Sequence, residues 1–224
     1  FSSESLPAAA ASKLIGKLSF TQCTRFGQFG RAMLSPLREH EYRGLARLQE
    51  ATRDAIEWWI GLLDHGPPRC VFQEPAALAR FILITDGDGT DRIGAALWDQ
   101  RDSSVPPRFL QMDLPQSVLW RPAGASKQRI CTVEGAAPTV AFATWLPLLL
   151  ESLVLVFCDN EAAKFALQAG SGNSHSLRRM VGDFWHLAAH ARSFPWLERV
   201  PTHLNCIDGV SRGEHPRGDA RGVP

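Results

Sequence analysis

Apolar residues recur every three or four positions along the first third of the chain, and in short continuous or alternating runs beyond it. From Pro7 to about Phe20, Leu14, Ile15 and Leu18 keep helical spacing. Pro7 falls in the first turn, where a missing N–H costs nothing. A second helical stretch is predicted to run to about Leu37. From Tyr42 to Leu63 the positions Leu45, Leu48, Ile56, Trp59 and Leu63 keep the same step until Pro67 and Pro68 stop it. Leu48, Trp59 and Leu63 are predicted to pack against the other helices. Past Pro75 the texture turns to β, with strands predicted at 81–85, 93–98, 108–114, 153–157 ("LVLVF") and 196–200. Helices predicted near 140–150, 160–169 and 176–192 alternate with the later strands, so this part reads as α/β with a mixed sheet. Three units follow: a helical segment at 1–75, an α/β domain at 80–213, and a Gly/Pro/charge-rich tail at 214–224 that is expected to be disordered.

Composition narrows this picture only a little. At 224 residues and 45% apolar content the chain can bury a real core, and it contains no internal repeat. A net charge of +1 supplies no basic field of the kind that announces nucleic acid. The five cysteines, at 23, 70, 131, 158 and 206, are widely spaced and never form C-x-x-C, which argues against a disulfide framework or a structural zinc site and for a reducing, intracellular compartment, cytoplasmic or nuclear. No apolar run approaches a membrane span, the sequence holds no basic-then-apolar leader, and its first residue is Phe and not Met, so the expectation is a soluble piece of a longer protein with no membrane partner.

The candidate chemistry lies in four separated acids. "ILITDGDGTDRIGAALWD" looks at first like a calcium loop. A twelve-residue loop from Asp86 needs Gly at its sixth position and Glu at its twelfth, where Asp91 and Leu97 stand. The flanking runs are β-rich, so Asp86 is predicted at a strand end before a hairpin, with Asp88, Asp91 and Asp99 as turn residues. In "LVLVFCDNEAAKFALQAG" a buried run delivers Asp159 to the carboxyl end of a second strand, Asn160 is a plausible N-cap and Gly170 lies past the helix end. Glu134, in "KQRICTVEGAA", is predicted near the start of a helix capped by Thr132, and Asp208, in "ERVPTHLNCIDGVSR", follows a strand and a polar turn. Four carboxylates at one point repel unless a cation neutralises them, and such hard oxygen donors suit Mg²⁺ or Mn²⁺. That is the makeup of a two-metal phosphodiester site.

In this order and context, Asp86, Glu134, Asp159 and Asp208 resemble the D-E-D-D site of ribonuclease H, in particular the RNase H domain of retroelement reverse transcriptases. "TDGDGTDRIGAALWD" is similar to that family's first strand and hairpin, "VFCDNEAAKFAL" to its third motif, and "ERVPTHLNCIDGVSR" to its closing motif, in which a Pro, an Asn, an Asp and a Ser-Arg recur. "KLIGKLSFTQCTRFGQFGRAMLSPL" resembles the helical thumb that precedes RNase H in DIRS-like and pararetroviral polyproteins. The resemblance implies an RNase H-like α/β fold: a mixed five-stranded sheet flanked by helices and preceded by a small thumb-like helical unit. It implies two Mg²⁺ or Mn²⁺ ions, with Asp86 bridging both, Asp208 completing the ion that activates water, and Glu134 and Asp159 holding the one that stabilises the leaving oxygen. It also implies an RNA–DNA hybrid as substrate, the rest of a reverse transcriptase polyprotein as partner, and for His203 the place of a mobile-loop histidine that helps product leave. No part of the chain resembles a polymerase palm.

Several features resist that reading or lie outside it. With Thr132 as N-cap, Pro138 falls inside the helix and Pro147 deeper still, so the helix is expected to kink or start late. Gly135 and Gly209 directly follow two of the proposed ligands. His186 and His190 share a helix face without a third ligand and read as partner-bonded helix residues. Trp58, Trp59, Trp145 and Trp185 read as core, and Lys164, Arg178 and Arg179 as a solvated face. Three functions from different classes remain open on the sequence: a metal-dependent hybrid nuclease, a nuclease-dead module that binds nucleic acid or a partner, and a 3′–5′ exonuclease whose first motif would read Asp-x-Glu where this chain has Asp86-Gly87-Asp88.

Overall fold

The computed structural model describes residues 5–23, 28–66, 78–115 and 126–214. The amino-terminal part is helical. Helix α1 (Ala8–Cys23) opens on the Pro7 carbonyl, which accepts from Ala10 and Ala11. A 3-10 turn (Ala32–Leu34) leads into α2 (Ser35–Arg43), and α3 spans Glu50–His65. The single helical run expected over 42–63 is broken at Gly44, whose φ of 61° closes α2 in the left-handed conformation that glycine adopts without a Cβ clash. The buried stripe of α3 is Thr52, Ala55, Trp59 and Leu62. Leu63 is half exposed and Leu48 only partly covered, so of the three predicted contacts Trp59 alone is fully buried.

The second part is a five-stranded sheet in the order β3-β2-β1-β4-β5. Its strands are β1 (Ala79–Gly87), β2 (Arg92–Asp99), β3 (Arg108–Asp113), β4 (Ser152–Cys158) and β5 (Phe194–Arg199). β1 pairs antiparallel with β2 and parallel with β4; β2–β3 is antiparallel and β4–β5 parallel. All five strands fall where the apolar runs predicted them, and Pro195 sits on β5 at the sheet edge, where a missing donor is tolerated. This is a mixed five-stranded sheet of the kind the sequence analysis expects.

Alternate residues of β1 and β4 face opposite layers. Phe81, Leu83, Val154 and Val156 join the main core with Phe142, Val181, Phe184 and Trp185. That core is continuous with Leu18, Phe29, Leu34, Leu37 and Trp59 of the amino-terminal helices. Ile84 and Ala96 pack on the other face against Ile207 and Val210. The helices of this part are α4 (Ser126–Trp145), α5 (Glu161–Ala169), α6 (His175–His190) and α7 (Asp208–Ser211).

Helix α4 departs from its prediction. It neither begins at Thr132 nor starts late: it runs from Ser126 with Pro138 inside it, and Thr132 is a buried interior residue. Pro147 lies past its end, in a turn. The tail from residue 215 onward and the Pro67-Pro68 stop lie outside the described residues. Among the described residues no helix is long and apolar enough to cross a membrane.

Candidate active site

Thr85 on β1 pairs with Cys158 on β4, so Asp86 and Asp159, one step further along parallel neighbours, emerge side by side at the carboxyl ends of the two central strands. Asn160 turns the chain into α5 by accepting from the Ala163 N–H at 3.0 Å, and Gly170 closes that helix at φ 63°. Glu134 arrives from α4, which lies across the sheet. One carboxylate oxygen from each of Asp86, Glu134 and Asp159 falls within 4.8 Å of the others. Among the described residues these three form the grouping that offers a metal ion hard oxygen ligands.

Two glycines permit this convergence. A Cβ on Gly87 would lie 2.9–3.0 Å from Val133 and the Glu134 backbone, so α4 can rest on the β1 end only where a side chain is missing. The Gly87 N–H in turn donates to the Glu134 carboxylate. A Cβ on Gly94, which pairs with Asp86, would lie 2.8 Å from the Ser211 nitrogen and 2.9 Å from Ile207. Its absence lets α7 settle on the sheet behind Asp86. There Asn205 donates to Asp86 Oδ1 at 2.8 Å and the Ser211 hydroxyl donates to Oδ2, so each oxygen of this buried carboxylate is oriented by its own donor.

The electrostatics fit an ion site. Glu134 is pushed up to about 9, first by burial and then by the charges of Asp159 and Asp86. Asp86 rises to about 6, burial outweighing the Ser211 bond, with Asp159 and Asp208 adding to the rise. Glu134 Oε2 and Asp159 Oδ1 are buried with no donor. A buried carboxylate oxygen without a donor is costly, and here two of them point to a cation as the missing partner. The residues present therefore fit one or more hard divalent ions.

The other expected site residues lie at the margin. Asp208 opens α7, outside the three-carboxylate grouping, and Arg212 donates to it at 2.7 Å. Its charge is close enough to raise Asp86. His203 is exposed, in a 3-10 turn (Thr202–Leu204) just before Asn205. Asn205, Ser211 and Arg212 belong to the closing motif by sequence, but their hold on Asp86 and Asp208 was not foreseen. Their only sequence signal was the Asn and Ser-Arg that accompany the motif's Asp. Asp88 caps the hairpin as a turn residue, accepting from the Thr90 and Arg92 N–H groups. His186 stacks between Phe29 and His190 at centroid distances of 5.7 and 5.8 Å, and burial holds it below its ordinary pKa.

No protein-family model and no curated protein matches the sequence. Among solved structures the chain is similar to RNase H1 from the halophilic archaeon Halobacterium salinarum NRC-1, at 14% identity and a TM-score of 0.43, over 60% of this chain and 94% of that one. It is also similar to the N-terminal RNase H domain of a Mycobacterium tuberculosis protein, solved as a fusion with maltose-binding protein, at 14% identity and a TM-score of 0.44, over 60% of this chain and 91% of that one.

Proposed function

We propose that this protein is a metal-dependent endonuclease that cuts the RNA strand of RNA–DNA hybrids. The observation that carries the reading is the meeting of Asp86 at the end of β1, Glu134 inside α4 and Asp159 just past β4, with two buried carboxylate oxygens lacking donors. Asp86, Glu134 and Asp159, with Asp208 at the margin, would hold two Mg²⁺ or Mn²⁺ ions. When bound, such ions lower the pKa of an attacking water and neutralise charge on the phosphate and the leaving oxygen.

The chain's own residues prepare that site. Asn205 and Ser211 fix both oxygens of Asp86, the Gly87 N–H orients Glu134, and Arg212 holds Asp208. His203, exposed in the 3-10 turn just before Asn205, is proposed to help the cut strand leave. The helical segment at 1–75 is proposed to position the hybrid and to carry no chemistry, and the whole to be part of a retroelement reverse transcriptase polyprotein. What supports this is the helical unit preceding the sheet, together with the motif wording of the sequence.

A second reading, a nuclease-dead module that binds nucleic acid or a partner, is favoured by one observation: Asp208 is paired with Arg212 and stands apart from the other three acids. End-labelled RNA–DNA hybrid, RNA duplex and DNA duplex incubated with the chain and Mg²⁺ separate the two. Cutting confined to the RNA of the hybrid supports the nuclease, and hybrid binding without cutting supports the second reading.

A further inference from the structure

Asp91 and Arg129 stand outside the carboxylate grouping, yet each lies five residues along the chain from one of its members, Asp86 and Glu134. Asp91 sits at the hairpin tip with a left-handed φ of 68° and a side chain only 7% exposed. One guanidinium serves both of its oxygens: Arg129 Nε donates to Oδ1 at 2.6 Å and Nη2 donates to Oδ2. A planar fork on a carboxylate fixes orientation as well as distance. The Asp91 carbonyl also accepts from the Leu114 N–H at 2.8 Å, tying the tip to the end of β3.

Helix α4 has a specific need for such a tether. Pro138 cannot donate to the carbonyl four residues back, which belongs to Glu134, so the helix is weakened just after the turn that carries the ligand. The far half of α4 is anchored without help: Phe142 and Trp145 enter the main core, and Thr139 Oγ1 donates to the Met180 carbonyl at 3.1 Å. The near half packs through Val133, Ala136 and Ala137 in a small cluster with Ile93, Leu114 and Met180. Small apolar side chains bury little area, and the attraction has no direction. The aim of this half is therefore set by directional polar bonds, among them Gly87 to Glu134, Cys131 to Asn160 and Arg129 to Asp91.

We propose that Arg129 and Asp91 are a positioning pair: the ion pair seats the first turns of α4 on the β1–β2 hairpin and so holds the Glu134 carboxylate against Asp86 and Asp159. Arg129 lies about 7.5 Å along the helix from Glu134, close enough for a swing at one to displace the other. This inference rests on reading the three carboxylates as a divalent-ion site.

The test uses the whole chain carrying Asp91→Asn, Arg129→Met, Arg129→Lys or the Asp91→Asn/Arg129→Met double change. Asn tolerates the left-handed backbone, so the turn survives loss of the charge. Mn²⁺ affinity is measured by calorimetry, melting in chelator by circular dichroism, and cutting as a function of Mg²⁺ and of hybrid concentration. Asp91→Asn and Arg129→Met are each expected to weaken Mn²⁺ binding about tenfold or more. The Mg²⁺ needed for half-maximal cutting should rise in step, while KM for hybrid at saturating metal stays put. Arg129→Lys should recover part of the loss, and the double variant should bind no worse than the weaker single. Variants that melt lower but bind Mn²⁺ as the wild type does overturn the positioning role. A wild-type chain that binds no Mn²⁺ overturns instead the site reading beneath it.

Discussion

Glu134 and Asp86 each keep, in the metal-free fold, a proton that the unfolded chain releases earlier. Their ordinary values of 4.5 and 3.8 rise to about 9 and about 6 on folding. A carboxyl raised in this way contributes stability that is fully present below its unfolded pKa and is lost as pH climbs through the folded value. Chelator-treated protein is therefore expected to melt at steadily lower temperature from about pH 4 to pH 9, with Glu134 governing the range above about pH 6. Glu134→Gln should flatten the upper limb, and melting curves at a series of pH values check it. The strand-end places of Asp86 and Asp159 were legible in the sequence because each closes a short, β-rich apolar run followed by turn or cap residues. The clamp on Asp86 was not, because Asn205 and Ser211 lie 119 and 125 residues away and meet it only once α7 lies back on the sheet.

Helix α4 shows where pattern reading runs out. Four of its apolar positions are alanine and its buried face carries Thr132, Glu134 and Thr139, so periodicity gave no firm start, and Pro138 argued for a late one. The packing of Phe142 and Trp145 in the main core, with Val133 and Ala136 in the smaller cluster, outweighs the proline and extends the helix to Ser126. The strands were easier, since each apolar run was bounded by turn residues. At the same scale, α7 is only four residues long and owes its seat to Gly94. Gly94→Ala should force Ser211 and Ile207 off the sheet, costing about 1–3 kcal/mol of stability. It should also weaken Mn²⁺ binding through loss of the Ser211 bond, and denaturant melts with a metal titration read both effects.

Over the whole molecule, the amino-terminal helices and the sheet domain share one hydrophobic core through α6. Trp59 is 2% exposed in that core, far along the chain from the sheet. Trp59→Ala is expected to cost about 3–5 kcal/mol and to lower the melting temperature by roughly 10 °C, with helical and sheet signals falling in one transition. Two separate transitions would show that the helical part folds by itself. The central claim is that the converging carboxylates form a working divalent-ion site, and the most direct measurement is Mg²⁺-dependent cutting of a labelled RNA–DNA hybrid by the wild-type chain beside Asp86→Asn. The prediction is cutting of the RNA strand by the wild type with Mg²⁺ or Mn²⁺ and no fast turnover with Ca²⁺, whose coordination shell is looser, while Asp86→Asn stays folded and inactive. A folded wild-type chain that binds hybrid but cuts nothing, indistinguishable from Asp86→Asn at every metal concentration, would contradict it.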